Sequence, residues 1–267
     1  MCVHLEKVVT LNYILLKTFF LKAKNEFETF KYTPEIYAGK VKAISDSFNL
    51  HNPLHLHHNE LPVYWGGNLL SSQEKIALVE INSEYDSERI AFENQLSTED
   101  WEHYSDFHHN LFSYYKDKSS WPLTYYKTLA CGLSNSNFKN RTHLEFLHEN
   151  VVRFDILPYT STDFNKSKYS LHAEEYLFNR FNNELLPFMA DDPSIKKGIF
   201  HNKVLTSILL KRNFINEDNM IYVRMNKGKN LDFIYKKKYK DLELFIFSRS
   251  IPFGGFMKSE VYSNVFS

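Results

Sequence analysis

A short apolar run in the first third of the chain constrains the fold more than any other stretch. Ile76, Leu78, Val79 and Ile81 follow one another with little interruption, which is typical of a strand buried on both faces of a parallel sheet. The run ends abruptly at the polar segment Asn82-Ser-Glu-Tyr-Asp86. Because ligands of open α/β sheets bind at the carboxyl ends of the strands, we expect this strand to deliver Asn82 and its neighbours to a site.

Two later stretches repeat the pattern of a buried strand followed by a polar loop. Val151–Leu157 ends in Pro158–Ser161, and Leu242–Phe247 ends in Ser248–Gly255. Between them, helices are expected over Leu5–Phe30, Pro34–Asp46, Ser97–Tyr115, Trp121–Leu133, Leu171–Phe188 and up to Leu210, and shorter strands over Gly198–His201, Met220–Met225 and Phe233–Tyr235. This alternation predicts an α/β fold, a three-layer α/β/α sandwich with a mostly parallel central sheet.

Composition places the chain among globular proteins. Hydrophobic residues make up 43% and aromatic residues 16% of the 267 positions, enough for a sizeable core. The apolar stretch Val8–Leu21 is interrupted by Asn12 and Lys17, so it is too short and too polar for a membrane span. The only two cysteines, Cys2 and Cys131, fit a reducing compartment. We expect a cytoplasmic protein with no membrane association and no obligate protein partner.

Domain organisation and cofactor use are also constrained by the sequence. Residues 1–58 are expected to form an N-terminal helical extension packed on an α/β domain of residues 59–267. No G-x-G-x-x-G, P-loop or H-E-x-x-H motif occurs, so no cofactor is expected. His55, His57 and His58 lie close together but lack the spacing of a zinc site, and a polar loop explains them better than a metal centre.

Three strand ends together resemble the uracil-DNA glycosylase superfamily. Glu80-Ile-Asn-Ser-Glu84 stands where that family has G-Q-D-P-Y-H or G-M-N-P-G, Val152-Arg-Phe-Asp155 where it has L-L-L-N, and Phe247-Ser-Arg-Ser-Ile-Pro-Phe253 where it has H-P-S-P-L-S or N-P-S-G-L-S. The resemblance covers roughly residues 60 to 260. Glu80 replaces the first glycine, Ser83 the motif proline, and Ser248 or Arg249 the late histidine. These departures leave the substrate open and also allow a relative without activity.

The resemblance implies a DNA glycosylase, an enzyme that extrudes a base and hydrolyses its N-glycosidic bond. Asn82 would place the attacking water, and Glu84 or Asp86 would supply negative charge beside it. An amide orients water but does not act as a general base. The alternative for Asn82 is a cap of the following helix.

Asp155 takes the position of the asparagine that reads the base in the family. An ionised carboxylate only accepts hydrogen bonds, so it repels uracil O4 and suits the N4 amino group of cytosine. A modified cytosine, such as a hydroxymethylated or glucosylated base in phage DNA, is therefore the expected substrate, with antiviral defence as the corresponding role. Uracil or another deaminated base, a non-catalytic nucleic-acid-binding protein, and a purely structural Asp155 before Pro158 stay open as alternatives.

The remaining contacts to DNA are expected from aromatic and basic side chains. Tyr85, Tyr159 and Trp65 are candidates for stacking on an extruded base. The alternative for these aromatic residues is a place in the core. Arg249 and Ser250 are candidates for contacts with a base oxygen or a phosphate. The alternative for this pair is an ordinary strand-to-helix turn. The run Lys236-Lys237-Lys238 predicts a face for the phosphate backbone, or else ordinary solvated surface.

Overall fold

The chain forms two compact units, each assembled from three separate segments. A computed structural model describes residues 18–48, 56–71, 73–81, 91, 95, 99–116, 123–134, 142–161, 170–225 and 231–248. The helical unit comprises Met1–Tyr64, Ile81–Ser105 and Asp155–Ile195, and the sheet unit comprises Trp65–Glu80, Asp106–Phe154 and Lys196–Ser267. The division into residues 1–58 and 59–267 stays a prediction.

In the ranges that the structure describes, seven strands form one sheet. They are β1 (Trp65–Gly66), β2 (Lys75–Glu80), β3 (Val151–Asp155), β4 (Ile195–Phe200), β5 (Met220–Met225), β6 (Leu231–Tyr239) and β7 (Leu242–Phe247), and they neighbour one another in the order β1-β3-β2-β4-β7-β6-β5. β3 is buried at every residue, and β2 and β7 at most of theirs. The three strands inferred from apolar runs are therefore confirmed.

The directions of the strands make this a mixed sheet. β4 and β7 run parallel, whereas β1 pairs antiparallel with β3, and β6 pairs antiparallel with both β5 and β7. Only Lys240 and Asp241 connect β6 to β7, and so short a link forces antiparallel pairing. An α/β protein is thus confirmed, but the antiparallel pairs at both ends of the sheet were not predicted. A three-layer, glycosylase-like architecture stays a prediction.

The turn after β1 requires glycine. Gly67 has φ of 109°, and its N–H donates to the His108 carbonyl at 2.8 Å. A Cβ atom at Gly67 would lie 2.6 Å from the Val151 carbonyl oxygen. The dihedral angle and the close approach each exclude a larger residue, so the second glycine of Trp65-Gly-Gly67 fixes how the chain leaves β1.

Within the described residues, the helices agree with most of the expectations, and residues 5–17 of the helix expected over Leu5–Phe30 lie outside those residues. They are α1 (18–32), α2 (Pro34–Phe48), α3 (Trp101–His109), α4 (Leu111–Lys116), α5 (Leu123–Ser134), α6 (Thr142–Asn150), α7 (Leu171–Arg180), α8 (Leu186–Asp191) and α9 (Lys203–Lys211). The single helix predicted over Ser97–Tyr115 is wrong. The chain turns at Asn110, whose side-chain amide donates to the carbonyl of Asp106 at 3.1 Å. α6 was missed, and β6 continues through the lysine run instead of ending at Tyr235.

A π-helical turn explains how one long helix accommodates a proline. Ser170 caps the N-terminus of α7, and its hydroxyl accepts from the N–H of Ala173 at 3.1 Å. Phe181–Leu185 forms a π turn between α7 and α8, and the N–H of Leu186 donates back to the carbonyl of Phe181. Pro187 comes next and has no N–H to donate. The wider turn therefore falls where the regular hydrogen-bond ladder is interrupted.

Candidate functional site at the ends of two strands

The segments that follow β2 and β3 meet through a backbone hydrogen bond. The N–H of Leu157 donates to the carbonyl of Ile81 at 2.7 Å, and the N–H of Asp155 donates to the carbonyl of Tyr64 at 3.3 Å. Asn82 follows Ile81 directly in the sequence. This hydrogen bond brings the segments after β2 and β3 together at the last described residue before Asn82. Asn82, Glu84, Tyr85, Asp86, Arg249 and Ser250 themselves lie outside the described residues.

Asp155 is a buried carboxylate at the carboxyl end of a central strand. It is the last residue of β3 and is 4% exposed. Burial raises the pKa of Tyr104 well above its usual range, and the charge of Asp155 contributes in the same direction. Tyr104 donates its only hydroxyl proton to the carbonyl of Pro62 at 2.6 Å. The nearby phenol is therefore neutral and committed to another acceptor.

The loop after Asp155 is fixed by the chain around residue 60. The N–H of Val63 donates to the carbonyl of Pro158 at 2.7 Å, and the N–H of His57 donates to the carbonyl of Thr160 at 3.0 Å. An isolated bridge between Leu56 and Ser161 continues this pairing. Backbone bonds of this kind hold the polar loop in one conformation, which is what a preorganised site needs.

Tyr159 belongs to a buried cluster of phenols around one carboxylate. Its hydroxyl donates to Oε1 of Glu26 at 2.9 Å, and the Lys40 ammonium pairs with Oε2. Glu26 is 6% exposed and Tyr159 2%. Burial, followed by the charge of Glu26, raises the pKa of Tyr159 far above its usual range. Tyr159 therefore acts here as a neutral hydrogen-bond donor that satisfies a buried charge.

Arg180 also holds the loop that follows Asp155. Its Nε donates to the carbonyl of Ile156 at 2.7 Å, one residue after Asp155. The guanidinium carbon lies 5.9 Å from the ring centre of Tyr64, and one terminal nitrogen is 3.6 Å from Glu184. The side chain is only 14% exposed. A buried arginine that is bonded to the backbone fixes the exit from β3, a role that the sequence analysis did not identify.

In the sheet unit, a buried ion pair joins β2 to β3. Nε of Arg153 lies 3.1 Å from Oε2 of Glu80, and a terminal nitrogen of Arg153 donates to the Tyr126 hydroxyl at 3.2 Å. The Tyr125 hydroxyl donates to Oε1 of Glu80 at 2.7 Å. The arginine side chain is 4% exposed and the glutamate side chain 25%. Sequence analysis noted Glu80 only as a departure from the glycosylase motif and gave Arg153 no role.

Trp65 and Tyr159, the two stacking candidates among the described residues, are buried by neighbouring side chains. Trp65 is fully buried, with the rings of His108 and His109 at 5.4 and 5.3 Å. Tyr159 is buried in the helical unit against the edge of Tyr37. A base stacks on either ring only if neighbouring side chains move away. The stacking role of Trp65 and Tyr159 stays a prediction, and both already serve in the core.

The lysine run splits between the two faces of β6. Lys236 lies 2.8 Å from Glu243, and its ammonium is 5.2 Å from the ring centre of Phe245. Lys237 donates to the Phe214 carbonyl just beyond α9, where a cation complements the helix dipole. Lys238 is exposed. Of the three lysines predicted to contact DNA, Lys238 has the environment that suits a phosphate contact best.

His201 is a further polar residue at a strand end that sequence analysis did not identify. It follows β4, is 5% exposed, and its ring meets the edge of Phe247 at 4.5 Å. Burial lowers its pKa well below 6.5, so the imidazole is neutral at physiological pH. The available sequence signal was its place as the last residue of the strand expected over Gly198–His201.

The part of the chain that the structure describes contains no group of three or more His, Cys, Asp or Glu side chains placed to hold a metal ion. In the same ranges, no helix combines the length and the apolar character needed to cross a bilayer.

No protein-family model matches the sequence, and neither curated proteins nor solved structures include one that is significantly similar to it.

Proposed function

We propose that the chain is a DNA glycosylase that hydrolyses the N-glycosidic bond of an extruded, modified pyrimidine and leaves an abasic site. The observation that carries the proposal is the buried carboxylate of Asp155 at the end of β3, two residues before Leu157, whose N–H donates to the carbonyl of Ile81. A carboxylate at this place accepts a hydrogen bond from an N4 amino group, which cytosine-type bases have and uracil lacks. A hydroxymethylated or glucosylated cytosine is therefore the expected substrate class.

The reaction needs groups that activate the attacking water and a group that binds the departing base. Water adds to the sugar carbon while the bond to the base breaks, and the electron pair leaves with the base. Asn82 orients the water, and Glu84 or Asp86 accepts its proton and stabilises positive charge on the sugar. Asp155 reads the amino edge of the base. These roles for Asn82, Glu84 and Asp86 come from the resemblance of the sequence to glycosylase motifs.

The fixed loop after Asp155 supports this role. Arg180 holds the Ile156 carbonyl, and the segment around Val63 holds Pro158. A residue that discriminates between hydrogen-bonding edges has to be placed within a few tenths of an ångström. The backbone contacts around Asp155 suit that requirement.

DNA is the proposed partner, with Arg249, Ser250 and the exposed Lys238 as contacts to the base or the phosphates. The affinity for a duplex should then fall steeply with salt. Lys238→Ala should reduce the slope of log affinity against log salt by about one, whereas Lys42→Ala, which changes an exposed lysine of α2, should leave it unchanged. An unchanged slope for Lys238→Ala would contradict the contact.

The test of activity is incubation with DNA that contains uracil, hydroxymethylcytosine, glucosylated hydroxymethylcytosine or plain cytosine. Alkali cleavage detects abasic sites, and mass spectrometry identifies the released base. Release of a modified cytosine that is lost in Asn82→Ala is the expected result. Release of uracil alone would favour a glycosylase for deaminated bases, and DNA binding without release from any substrate would favour a non-catalytic binding protein.

The base-reading role of Asp155 has its own test. Asp155→Asn should shift the preference among pyrimidines away from those with an amino group, because an amide both donates and accepts. The matched control is Asp46→Asn, the same chemical change at an exposed position of the helical unit. Unchanged preference in Asp155→Asn would remove the residue from the base-reading role.

A further inference from the structure

A polar cluster in the helical unit brings two cations to one carboxylate oxygen. Its members are Lys22, Tyr64, Tyr176, Arg180 and Glu184. Lys22 of α1 lies 2.5 Å from Oε2 of Glu184, and a terminal nitrogen of Arg180 lies 3.6 Å from the same oxygen. Glu184 belongs to the π turn that follows Arg180, and such turns inside helices are frequent at functional sites. Two positive charges here share one negative charge, so the cluster carries an excess of positive charge.

Arg180 has more hydrogen-bond donors than its neighbours use. Its Nε donates to the carbonyl of Ile156 at 2.7 Å, and the hydroxyl of Tyr176 is also hydrogen-bonded to the guanidinium. The separation of 3.6 Å from Glu184 is too long for a hydrogen bond. A guanidinium has five N–H donors. Within the part of the chain that the structure describes, donors therefore stay available on a side chain that is only 14% exposed.

Tyr64 adds a buried hydroxyl beside the guanidinium. The residue is 3% exposed, and its ring centre lies 5.9 Å from the guanidinium carbon of Arg180. Burial raises the pKa of Tyr64, so its phenol is neutral and able to donate. Among the described residues, the structure shows no hydrogen bond from this hydroxyl. Buried donors are unfavourable unless an acceptor satisfies them, and both side chains thus lack an acceptor of the kind that an anion supplies.

The outer side of the cluster is open to solvent. The side chains of Lys22 and Glu184 are each 43% exposed. Burial, followed by the charge of Arg180, lowers the pKa of Lys22, which shows that its ammonium already lies in a positive environment. The charge of Glu26 also reaches Tyr64, but that carboxylate is paired with Lys40. An anion can therefore approach from solvent and meet a cluster that attracts it.

We propose that Arg180, Lys22 and Tyr64 bind a phosphate group, which displaces Glu184 from the two cations. The several acceptor oxygens of a phosphate point in tetrahedral directions, so they can accept from a guanidinium, an ammonium and a phenol at once. A carboxylate offers two oxygens in one plane and suits three such donors less well. Arg180 is bonded to the residue after Asp155. In a step that rests on the proposed function, the phosphate belongs to the DNA beside the extruded base.

The first test measures the affinity for inorganic phosphate by isothermal titration calorimetry, at constant ionic strength so that general salt effects are equal. Lys22→Gln should weaken binding on the order of tenfold, because it removes a charged donor. The matched control is Lys24→Gln on the same helix, since Lys24 is also 43% exposed and pairs with Glu28. This control should bind phosphate as wild type does. Equal weakening in both variants would indicate a diffuse effect of charge and would overturn the site.

Two further variants should change the affinity in opposite directions. Tyr64→Phe removes one hydroxyl and keeps the ring, so it should weaken phosphate binding about fivefold. Glu184→Gln removes the competing carboxylate and should tighten binding about threefold, whereas Glu28→Gln should leave it unchanged. A cluster that only stabilises the fold predicts no gain from Glu184→Gln. Weaker binding in Glu184→Gln, or unchanged affinity in both Lys22→Gln and Tyr64→Phe, would overturn the proposal.

Competition experiments identify the source of the phosphate. Displacement of inorganic phosphate by a dinucleotide with a single phosphodiester, reduced in Lys22→Gln, would assign the site to a nucleic-acid backbone. Displacement by a nucleoside monophosphate but not by the dinucleotide would assign it to a small phosphate monoester, and either result supports the site.

The outcomes also separate this proposal from the proposed function. Phosphate binding that responds to the variants, without release of a base from any DNA substrate, supports the site and counts against the glycosylase. Release of a base by a wild-type protein that binds no phosphate supports the glycosylase and overturns the site.

Discussion

The helical unit and the sheet unit each pair a carboxylate with a cation, and the two pairs differ in which partner is buried. In the helical unit, Glu26 is held by the Tyr159 hydroxyl and by Lys40, whose side chain remains 47% exposed. In the sheet unit, Glu80 is held by Arg153, which is itself 4% exposed. Each carboxylate thus accepts from a tyrosine hydroxyl and pairs with a cation. The cation beside Glu26 still contacts water, whereas the cation beside Glu80 is almost fully buried.

This difference determines what remains behind when one partner is removed. Loss of Glu26 leaves a phenol without its acceptor and a lysine that water can still solvate. Loss of Glu80 removes the carboxylate that pairs with a buried guanidinium. A stranded charge is much less favourable than a stranded hydroxyl, so the two units should respond very differently to comparable substitutions.

The largest effect is expected for Glu80→Leu, which should lower the free energy of unfolding by about 3–5 kcal/mol because it strands Arg153. Arg153→Leu should cost less, since Glu80 is 25% exposed and can be hydrated. The double variant should recover most of the loss. Urea denaturation of the three variants measures this, and equal losses in the two single variants would contradict the asymmetry.

In the helical unit, Tyr159→Phe should lower the free energy of unfolding by about 1–3 kcal/mol, because Oε1 of Glu26 then loses its donor in a buried site. The matched control is Tyr114→Phe, which removes an equivalent bond from a hydroxyl to Asp106 at 2.8 Å on the surface. That change should cost less than about 1 kcal/mol. Thermal unfolding measures both variants. A similar loss of unfolding free energy in Tyr159→Phe and Tyr114→Phe would show that burial around Glu26 does not strengthen the contribution of its hydrogen bond.

The third prediction concerns acid sensitivity, which should arise mainly in the sheet unit through His201. Its pKa lies well below 6.5 in the folded protein, so below that pH the unfolded state binds a proton that the folded state does not, and stability falls as pH falls. As the pH falls through 6.5, wild type should therefore lose more stability than His201→Asn. The phenols of the helical unit, with raised pKa values, do not titrate in this range.

His172→Asn, an exposed histidine of α7, serves as the control for that measurement and should keep the pH dependence of wild type. Urea denaturation at several pH values gives the difference directly. Parallel pH profiles for wild type and His201→Asn would remove His201 as the source.

The smallest effect concerns the backbone. Among the described residues, the non-glycine residues with positive φ, Asn213 and Lys240, both lie in the sheet unit. Lys240→Gly in the turn between β6 and β7 should raise the free energy of unfolding by up to about 1 kcal/mol, because glycine adopts φ of 53° without strain. Lys238→Gly, inside β6, should lower it by about 0.5–1 kcal/mol. If thermal unfolding shows a lower free energy of unfolding for both variants than for wild type, strain at Lys240 is not supported.

The two units also differ in how well the sequence predicted them. Strands β2, β3 and β7 were found because each is a continuous apolar run, a local signal. The contact between Tyr159 and Glu26 joins residues 133 positions apart, and no local pattern connects them. Nonlocal polar contacts of this kind arise from tertiary packing, which periodicity does not encode.

Two misreadings have particular causes. The lysine run was treated as one basic face, but strand alternation places Lys237 opposite to Lys236 and Lys238. Arg153 was overlooked although a single charge inside the apolar run Val151–Leu157 signals that a buried partner must exist. Read in that way, the sequence would have pointed to an acidic residue on a neighbouring strand, with Glu80 as a candidate.

The pair of Glu80 and Arg153 also has an evolutionary consequence. An arginine without the glutamate would strongly destabilise this strand, and a glutamate without the arginine would have no charged partner to bind. Lineages should therefore have gained or lost the two charges nearly together, through short-lived intermediates that selection removes. Relatives of this chain are then expected to show covariation of the two positions, with both charges present or both replaced by uncharged residues.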